Sequence, residues 1–522
     1  MSLAPVCILT AGIGSRMGAL GDVVNKALLP LGDKAIISHI IESFPKGTEF
    51  VIATGYKKEQ VKAYLRMAHR DVEFTFCDVE NFAGAGSGPG LSLLACQDKL
   101  KRPFYFCPSD SLIEVDLSNT PDNNWIALGK ETASHPEAYC NMKVSEGIVS
   151  DIADKQFPSP DYKHFTGLLF IKDHDVFWKH LLSNELKAGE RQVSNGIAGL
   201  VHEKSLDAVQ TDWSDLGDYS SYKAALEQYV DFDFTKKDEF LYICNDVVIK
   251  FFADPDIIKK RTEKSLVHPD VFPKIFDVDD QFYAYELIPG DTVYRVNSPE
   301  IFASLLKWLD EKVWTSYPCS EETIQSLCTK FYKDKTLARL AAFYAKYPKY
   351  QQPAYFNGEP ILPLRSLLDK VNWDLLADGV PTFMHGDLQF DNIIYNSEAE
   401  EFTLIDWRQD FAGEVVFGDI YYDLAKMLGG IWLNYDYIKR GLFSVNIEED
   451  HIDVDLTPDP LSETLEKMLA EYIQQKGLDL DKVKLLVGII FLNMSPLHET
   501  PFDEMLHALG RSVVQKAIGA GG

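Results

Sequence analysis

Apolar and polar positions change rhythm twice along this 522-residue chain. Up to about residue 228, apolar runs of strand length alternate with stretches of helical spacing. Val6–Thr10 runs into a glycine-rich turn, Ile36–Phe44 has helical spacing, and Phe50–Thr54 reads as a strand ending at Gly55. Glu59–Leu65 reads as the next helix, and Pro103–Cys107 as a strand ending at Pro108-Ser109-Asp110. Such alternation predicts an α/β domain with a mixed, mostly parallel sheet and sites at strand carboxyl ends. Gln228–Glu239 is acidic, aromatic and without period, which predicts a boundary. Beyond it, Phe240–Cys244 and Val247–Phe252 flank Asn245-Asp246, a hairpin signal. Strand character ends at Phe282–Ile288 with Pro289-Gly290, and the remainder reads as helical, interrupted only by Met384–Asp406. The expected organisation is a domain over 1–228, a linker or lobe start over 229–240, and a bilobal α+β domain over 241–522. Its small lobe would span 241–290 and its large lobe 291–522. Neither internal repeats nor low-complexity segments are evident.

Composition narrows the partners. A formal net charge of −28 excludes a general nucleic-acid surface, and any phosphate site must be built locally. The eight cysteines are scattered without a C-x-x-C pair, which fits reduced thiols better than a zinc site or disulfide framework. No secretory signal pattern opens the chain, and the longest apolar run, Leu485–Leu492, is too short for a membrane span. A soluble, cytoplasmic protein without membrane insertion is expected; the sequence leaves the oligomeric state open.

Two segments carry phosphate chemistry. The first is L-T-A-G-I-G-S-R-M-G, Leu9 to Gly18, where a strand enters a glycine turn and then a helix. Gly12 and Gly14 let backbone N–H groups approach phosphate oxygens, and Arg16 adds charge. Lys26, in Asn25-Lys26-Ala27-Leu28-Leu29-Pro30, offers a second cation. A strand–glycine–helix junction also serves as a plain tight turn. Two carboxylates from separate strand ends, Asp110 and Asp215, can hold Mg²⁺ against an α-phosphate, or can simply cap turns.

These segments resemble the nucleotidylyltransferases that make NDP-sugars and CDP-alcohols, with L-A-A-G-x-G-S/T-R followed by P-K-x-L-L. The likeness covers most of residues 1–226, including Val51–Tyr56 (V-I-A-T-G-Y). It implies nucleotide contacts at Leu9, Ala11, Gly12, Gly14 and Ser15, and base recognition by Gly86, Ser87 and Gly88 within Gly84–Leu91. Arg16 and Lys26 become catalytic cations. Asp110 and Asp215 become the metal ligands, the latter in Trp213-Ser214-Asp215-Leu216-Gly217, similar to W-x-D-x-G. Asn25 stands where the family has proline. Lys155, in Ala153-Asp154-Lys155-Gln156, is nearest to the family's E-K-P; it and Gly167 are the expected acceptor contacts, with Lys143 and Lys163 as rivals. The base, C, U, G or T, is not readable.

The second segment is Met384–Ile394, M-H-G-D-L-Q-F-D-N-I-I, followed by Thr403–Trp407, T-L-I-D-W. Asp387 can take the proton of an attacking hydroxyl, Asn392 can ligate Mg²⁺, and Asp406 can bridge metal to ATP phosphates. This resembles the aminoglycoside phosphotransferase and choline kinase family, H-G-D-L-H-x-x-N then I-D-[FW], with Gln389 in place of a histidine. Lys250 lies within an apolar strand, where a lysine needs an anion unless the strand is an edge. The resemblance pairs Lys250 with ATP phosphates and Glu263, which also reads as one more solvated charge. It places the adenine hinge at Tyr285–Ile288, with Glu286 and Ile288 as contacts. His385 is read as a structural hydrogen-bonder, and Gly418-Asp419 with Asp423-Leu424-Ala425 as architectural. Tyr421, Tyr422, Trp432, Tyr435 and Tyr437 could cage a quaternary ammonium or belong to the core; Tyr422 is the named acceptor contact. The absence of D-F-G, A-P-E and an evident G-x-G-x-x-G disfavours a protein kinase.

Together the resemblances imply a bifunctional enzyme with Mg²⁺ at both sites and ATP plus a second NTP as substrates. It would phosphorylate a sugar and join that phosphate to an NMP unit, giving an NDP-sugar for surface polysaccharide. The alternatives are a choline, ethanolamine or other alcohol kinase with a cytidylyltransferase, and a kinase whose first domain only binds nucleotide and regulates.

Overall fold

The computed structural model describes residues 3–84, 86–133, 135–182, 189–229, 237–352 and 354–520. The linker expected over 229–240 falls in part on residues outside the described ones, as does Ala85 of the base-recognition segment. The chain divides into two compact units. The first comprises Met1–Val230, Lys237–Ala253 and Asp277–Ala284, and the second comprises Asp254–Phe276 and Tyr285–Gly522.

The first unit is built on a ten-stranded mixed sheet. Its path runs Phe74–Asp78, Phe50–Thr54, Val6–Leu9, Phe104–Pro108, Tyr162–Ile171, Trp125–Gly129, Asp207–Asp215, Ile148–Asp154, Cys140–Ser145, and Ser111–Glu114 pairs with Asp207–Asp215. The α/β class holds. Parallel pairing joins the four strands from Phe74–Asp78 to Phe104–Pro108 and recurs between Asp207–Asp215 and Trp125–Gly129. The strands beyond residue 110 pair otherwise antiparallel, because short turns rather than helices connect many of them. In the parallel half both faces are covered: Val6, Ile8 and Ile52 enter one apolar layer, and Cys7, Val51 and Ala53 the other. Two-sided burial explains why these strands are unbroken apolar runs rather than alternating ones. Val6–Leu9 and Phe104–Pro108 lie side by side although their connections leave in opposite directions, so their carboxyl ends bound a switch-point crevice.

The expected hairpin forms, Cys244 opposite Val247, with Asn245 and Asp246 at φ 51° and 60° as a two-residue turn requires. It packs within the first unit. The Tyr242 hydroxyl donates to the Leu28 carbonyl at 2.6 Å, and Tyr64 meets the Tyr242 ring edge-on at 4.9 Å. Its sheet continues through Phe282–Glu286 to Ile275–Val278.

The second unit is mainly helical. Its buried helices Ile420–Trp432 and Leu480–Met494 pack together, and Phe502–Ala520 packs on the latter. Leu485–Leu492 is thus a core segment, as its apolar run predicts. The helical reading beyond Gly290 needs correction outside Met384–Asp406, where Asp291–Thr292, Pro381–Thr382 and Gly418–Asp419 are short strands. Ala354–Phe356, Glu359–Ile361, Phe443–Glu448 and His451–Leu456 form a four-stranded sheet. The period-2 pattern F-S-V-N-I-E carried that signal. Among the described residues no helix is long and apolar enough to cross a membrane.

Candidate active sites

In the first unit, Val6–Leu9 delivers the chain into the turn at Gly12–Gly18, where Gly14 and Gly18 have φ of 70° and 57°. Asn25, the departure from proline, stitches this turn together. Its amide nitrogen donates to the carbonyls of Thr10 (3.0 Å) and Tyr56 (2.7 Å), and its oxygen accepts from Ala27 N at 3.0 Å. That cap starts the short helical turn Lys26–Leu28 and aims Lys26 inward. Lys26 forms an ion pair with Asp110 and donates to the Gly217 carbonyl at 3.2 Å.

The two expected metal ligands are brought together by backbone pairing. Asp215 lies opposite Ser111, and the Leu216 N–H donates to the Asp110 carbonyl at 2.8 Å. Asp215 accepts from the Gly217 N–H (2.7 Å) and from the Tyr139 hydroxyl (2.5 Å). A Cβ on Gly217 would sit 2.7 Å from Asp215 Oδ1 and 3.3 Å from Arg16 Nη2, so this glycine admits both charged groups. Lys26, Asp110, Asp215 and Arg16 therefore share one place at the switch point. Tyr139, which sequence reasoning missed, is fixed by an edge contact with Trp213 at 5.5 Å. Burial, then its bond to Asp215, raises its pKa.

Of the expected nucleotide contacts, Leu9 is half-buried, Ala11 is buried, and Gly12 and Ser15 are exposed in the turn. The segment around Gly86, Ser87 and Gly88 pairs with the chain at 189–191: Gly86 N donates to Gly189 O, and Arg191 N to Ser87 O, both at 3.1 Å. Gly167 sits at φ 119°, with its Cβ position 2.5 Å from Pro108 Cγ, so packing alone requires glycine there. Lys155 and Lys143 are exposed, whereas Lys163 is half-buried and donates to the Lys130 carbonyl at 3.4 Å.

In the second unit the loop at His385–Asn392 lies between Pro381–Thr382 and the hairpin Ile393–Asn396/Glu401–Leu404. The loop is held from beneath by Asp423, fully buried in the helix Ile420–Trp432, which accepts from the N–H groups of His385 (2.8 Å) and Gly386 (2.7 Å). Burial raises the Asp423 carboxyl to about 6. Lys264, buried beside it, bonds the Arg408 carbonyl at 3.0 Å. Asp419 is likewise buried, bonded to Val380 N and the Tyr332 hydroxyl. Both aspartates have the architectural role expected of them.

His385 is fully buried; its Nδ1 accepts from Asp387 N (3.2 Å) and its Nε2 faces the Ile405 carbonyl (2.9 Å). Burial lowers its pKa to about 4, so it is neutral and structural. Asp387 is half-buried, paired with Lys426 at 2.6 Å and touched by Gln389 Nε2 at 3.3 Å. Burial would raise the Asp387 carboxyl, but Lys426 outweighs it and holds the group below its usual value. Asn392 donates to the Asp387 carbonyl at 2.8 Å, which orients its oxygen, and Ile405 N bonds the Asn392 carbonyl. Asp406, at φ 57°, pairs with Arg261 at 2.6 Å. Asp387, Asn392 and Asp406 thus converge.

Lys250 is buried in Val247–Phe252 and has a partner. On the helix Pro255–Val267, Glu263 is exposed; Arg261 and Lys264, three residues apart, take the inward face. Glu286 ends its strand exposed, and Ile288 is half-buried. Among the described residues no two of the five expected cage rings are in ring contact. Tyr422 packs edge-on against Phe331 at 4.9 Å, while Tyr421 lies beneath Lys482, 4.0 Å from its ring centre. Trp432 bonds Glu466, and Tyr435 packs on Phe502. A cavity of about 270 Å³ is lined by Trp432, Tyr437, Asp459 and Glu466, whose carboxylates are engaged by Asn434 and Trp432.

With this geometry in view, comparison with known proteins is specific. Residues 6–117 match the MobA-like NTP transferase domain, and residues 276–446 match the Phosphotransferase enzyme family. The chain joins two transferase-family domains. For the nucleotidyltransferase domain, the bifunctional protein GlmU of Methanocaldococcus jannaschii is 24% identical over 214 residues, 40% of this chain and 50% of that protein. The mannose-1-phosphate guanyltransferase of Saccharomyces cerevisiae is 26% identical over 242 residues, covering 43% and 64%. The D-glycero-alpha-D-manno-heptose 1-phosphate guanylyltransferase of Campylobacter jejuni is 23% identical over 174 residues, covering 33% and 76%. This chain spans about half the length of the GlmU proteins it matches. Among solved structures, the inositol-1-phosphate CTP transferase from T. maritima is 14% identical with a TM-score of 0.36, covering 44% of this chain and 96% of that one.

Proposed function

We propose that the chain is a bifunctional enzyme over the expected domains 1–228 and 241–522. The phosphotransferase-family domain passes the γ-phosphoryl group of ATP to a hydroxyl of a small acceptor, releasing ADP. The hydroxyl oxygen bonds to phosphorus as its proton moves to Asp387, which Lys426 and Gln389 orient. In the nucleotidyltransferase-family domain an oxygen of that phosphate attacks the α-phosphorus of a second NTP and pyrophosphate leaves. Arg16 and Lys26 balance the negative charge there.

The donor sets fit Mg²⁺, which prefers hard oxygen ligands. Asp110 and Asp215 would hold it in the first domain, Asn392 and Asp406 in the second; when bound it draws charge from the phosphates. Gly12 supports nucleotide binding: its φ is not positive and a Cβ there meets no protein atom within 4 Å, so neither fold nor packing calls for glycine. Close approach of a ligand does.

The observation that carries the reading is that one chain holds both constellations assembled, Lys26–Asp110–Asp215–Arg16 and Asp387–Asn392–Asp406. A sugar is the first acceptor reading, because two relatives of the nucleotidyltransferase domain are named for sugar 1-phosphates. The product would then be an NDP-sugar made in the cytoplasm for surface polysaccharide. Mass spectrometry of products from the full chain with ATP, mixed NTPs and an acceptor panel tests this. An NDP-linked sugar is expected; a CDP-alcohol as sole product would overturn the sugar reading, and no nucleotidylated product would overturn the pairing of activities.

A further inference from the structure

Around the catalytic loop of the second unit each carboxylate has its cation. Lys426 pairs with Asp387, Arg261 with Asp406, and Lys260 with Asp410 at 3.1 Å, while Lys264 is buried beside Asp423. Three more basic side chains, Lys335, Arg339 and Arg408, gather at the same place, and among the described residues none of them forms an ion pair; Arg339 and Arg408 each give one N–H to a backbone carbonyl, of Asn493 and Asp410, both at 3.1 Å. Lys335 Nζ lies 3.8 Å from the centre of the Phe331 ring and the Arg408 guanidinium 5.0 Å from it. Arg408 also lies against Gly386, next to Asp387: a Cβ on that glycine would be 2.6 Å from Arg408 Cβ. Tyr422 and Phe411 close on the same ring at 4.9 and 4.2 Å.

Phe331 belongs to a π-helical turn, Thr329–Asp334, set between the helices Glu321–Cys328 and Lys335–Lys346. Wide turns of this kind are rare and concentrate at functional sites. This one holds Phe331 between these basic groups. In a chain with 79 acidic and 51 basic side chains, a place where basic groups outnumber carboxylates runs against composition. Burial, with repulsion from Arg408, Arg339 and Lys426, lowers Lys335 to about 5; Asp410, already bound by Lys260, opposes this weakly. Near neutral pH the Lys335 amine is therefore unprotonated in the free protein, and an anionic ligand beside it would favour its ammonium form.

We infer that the acceptor phosphorylated at Asp387 carries an anionic group of its own, a phosphate or carboxylate, held by Lys335, Arg408 and Arg339 beside the Phe331 and Tyr422 rings. This rests on the phosphorylation reading above and narrows it to sugar phosphates and hydroxy acids, against choline. The transferred group comes from ATP as before; the acceptor's anion is only gripped.

The test uses the full chain and measures ADP release with matched pairs: glucose and glucose 6-phosphate, mannose and mannose 6-phosphate, glycerol and glycerate, with choline beside them. The charged member of a pair should be preferred. In Lys335→Met its KM should rise by ~10-fold or more, as expected for one lost charge-assisted bond. KM for ATP should stay level, and Lys335→Arg should recover most of the loss. Preference for a neutral member or for choline would overturn the inference, as would a Lys335→Met effect falling on ATP instead. ADP release that survives Asp387→Asn would instead sink the phosphorylation reading. If no acceptor elicits ADP release, equilibrium binding of glucose 6-phosphate against glucose decides. Tighter binding of the phosphate, lost in Lys335→Met, supports the anion site, and equal binding refutes it.

Discussion

The two proposed sites meet one problem, bringing acidic and amide oxygens together at one place, by opposite means. In the first unit Asp110 and Asp215 arrive on separate strands and meet only because antiparallel pairing sets Asp215 against Ser111. In the second, Asp387 and Asn392 stand on one loop, and a buried carboxylate, Asp423, fastens that loop by two backbone N–H groups. A site assembled across a sheet is as secure as the sheet. A site on one loop depends on a few polar bonds beneath it, and so on the ionisation of buried groups.

That contrast can be broken or sharpened. The largest effect is expected from Asp387→Asn, which removes the proposed proton acceptor and should cut acceptor phosphorylation by ~10²–10⁴-fold. Nucleotide transfer to a supplied phosphorylated acceptor should be unchanged in a pyrophosphate-release assay. Asp110→Asn should do the reverse, lowering nucleotide transfer by ~10²-fold or more while ADP release persists. Either substitution abolishing both activities in a folded protein would end the picture of separate sites.

A smaller effect concerns pH. Buried His385 stays neutral down to about pH 4 when folded, but in the unfolded chain it takes a proton below about pH 6.5. Between those values the unfolded state binds more protons, so stability falls as pH falls; from pH 7 to 5 the loss is about 2 kcal/mol. His385→Asn should flatten the urea-unfolding dependence by that amount. Buried His69 in the first unit is also lowered to about 4, so the variant must be read against the parent protein.

Least is expected of Asn25→Ala. It loses the cap on Ala27 and the bonds to Thr10 and Tyr56, costing about 1–2 kcal/mol. Thermal unfolding should show the loss, and KM for the second NTP should rise while KM for ATP holds.

Much of this was legible in the residues. Gly12, Gly14, Asp387 and Asn392 announce themselves because their chemistry is local: a turn, a short loop, a fixed spacing. The class of each domain followed from the same signals. What stayed hidden was contributed from a distance. Lys426 lies on a helix more than thirty residues past the loop, Tyr139 reaches Asp215 from another part of the sheet, and nothing in their own surroundings marks them. Helical phase misled as well. Glu263 was favoured by resemblance, yet it points outward while Arg261 and Lys264 face in. Nothing in the sequence singles out Lys335, which follows the π-helical turn and lies over Phe331.

The most direct test of consecutive chemistry follows one phosphorus atom. The full chain is given ATP labelled at the γ-phosphorus, unlabelled NTPs and the acceptor panel, and the products are treated with phosphatase. Label that persists in a phosphatase-resistant, NDP-linked product is the predicted result, because the transferred phosphate has become the inner half of a diphosphate bridge. A nucleotidylated product free of label, or label that never passes beyond a phosphatase-sensitive monoester, would contradict the account.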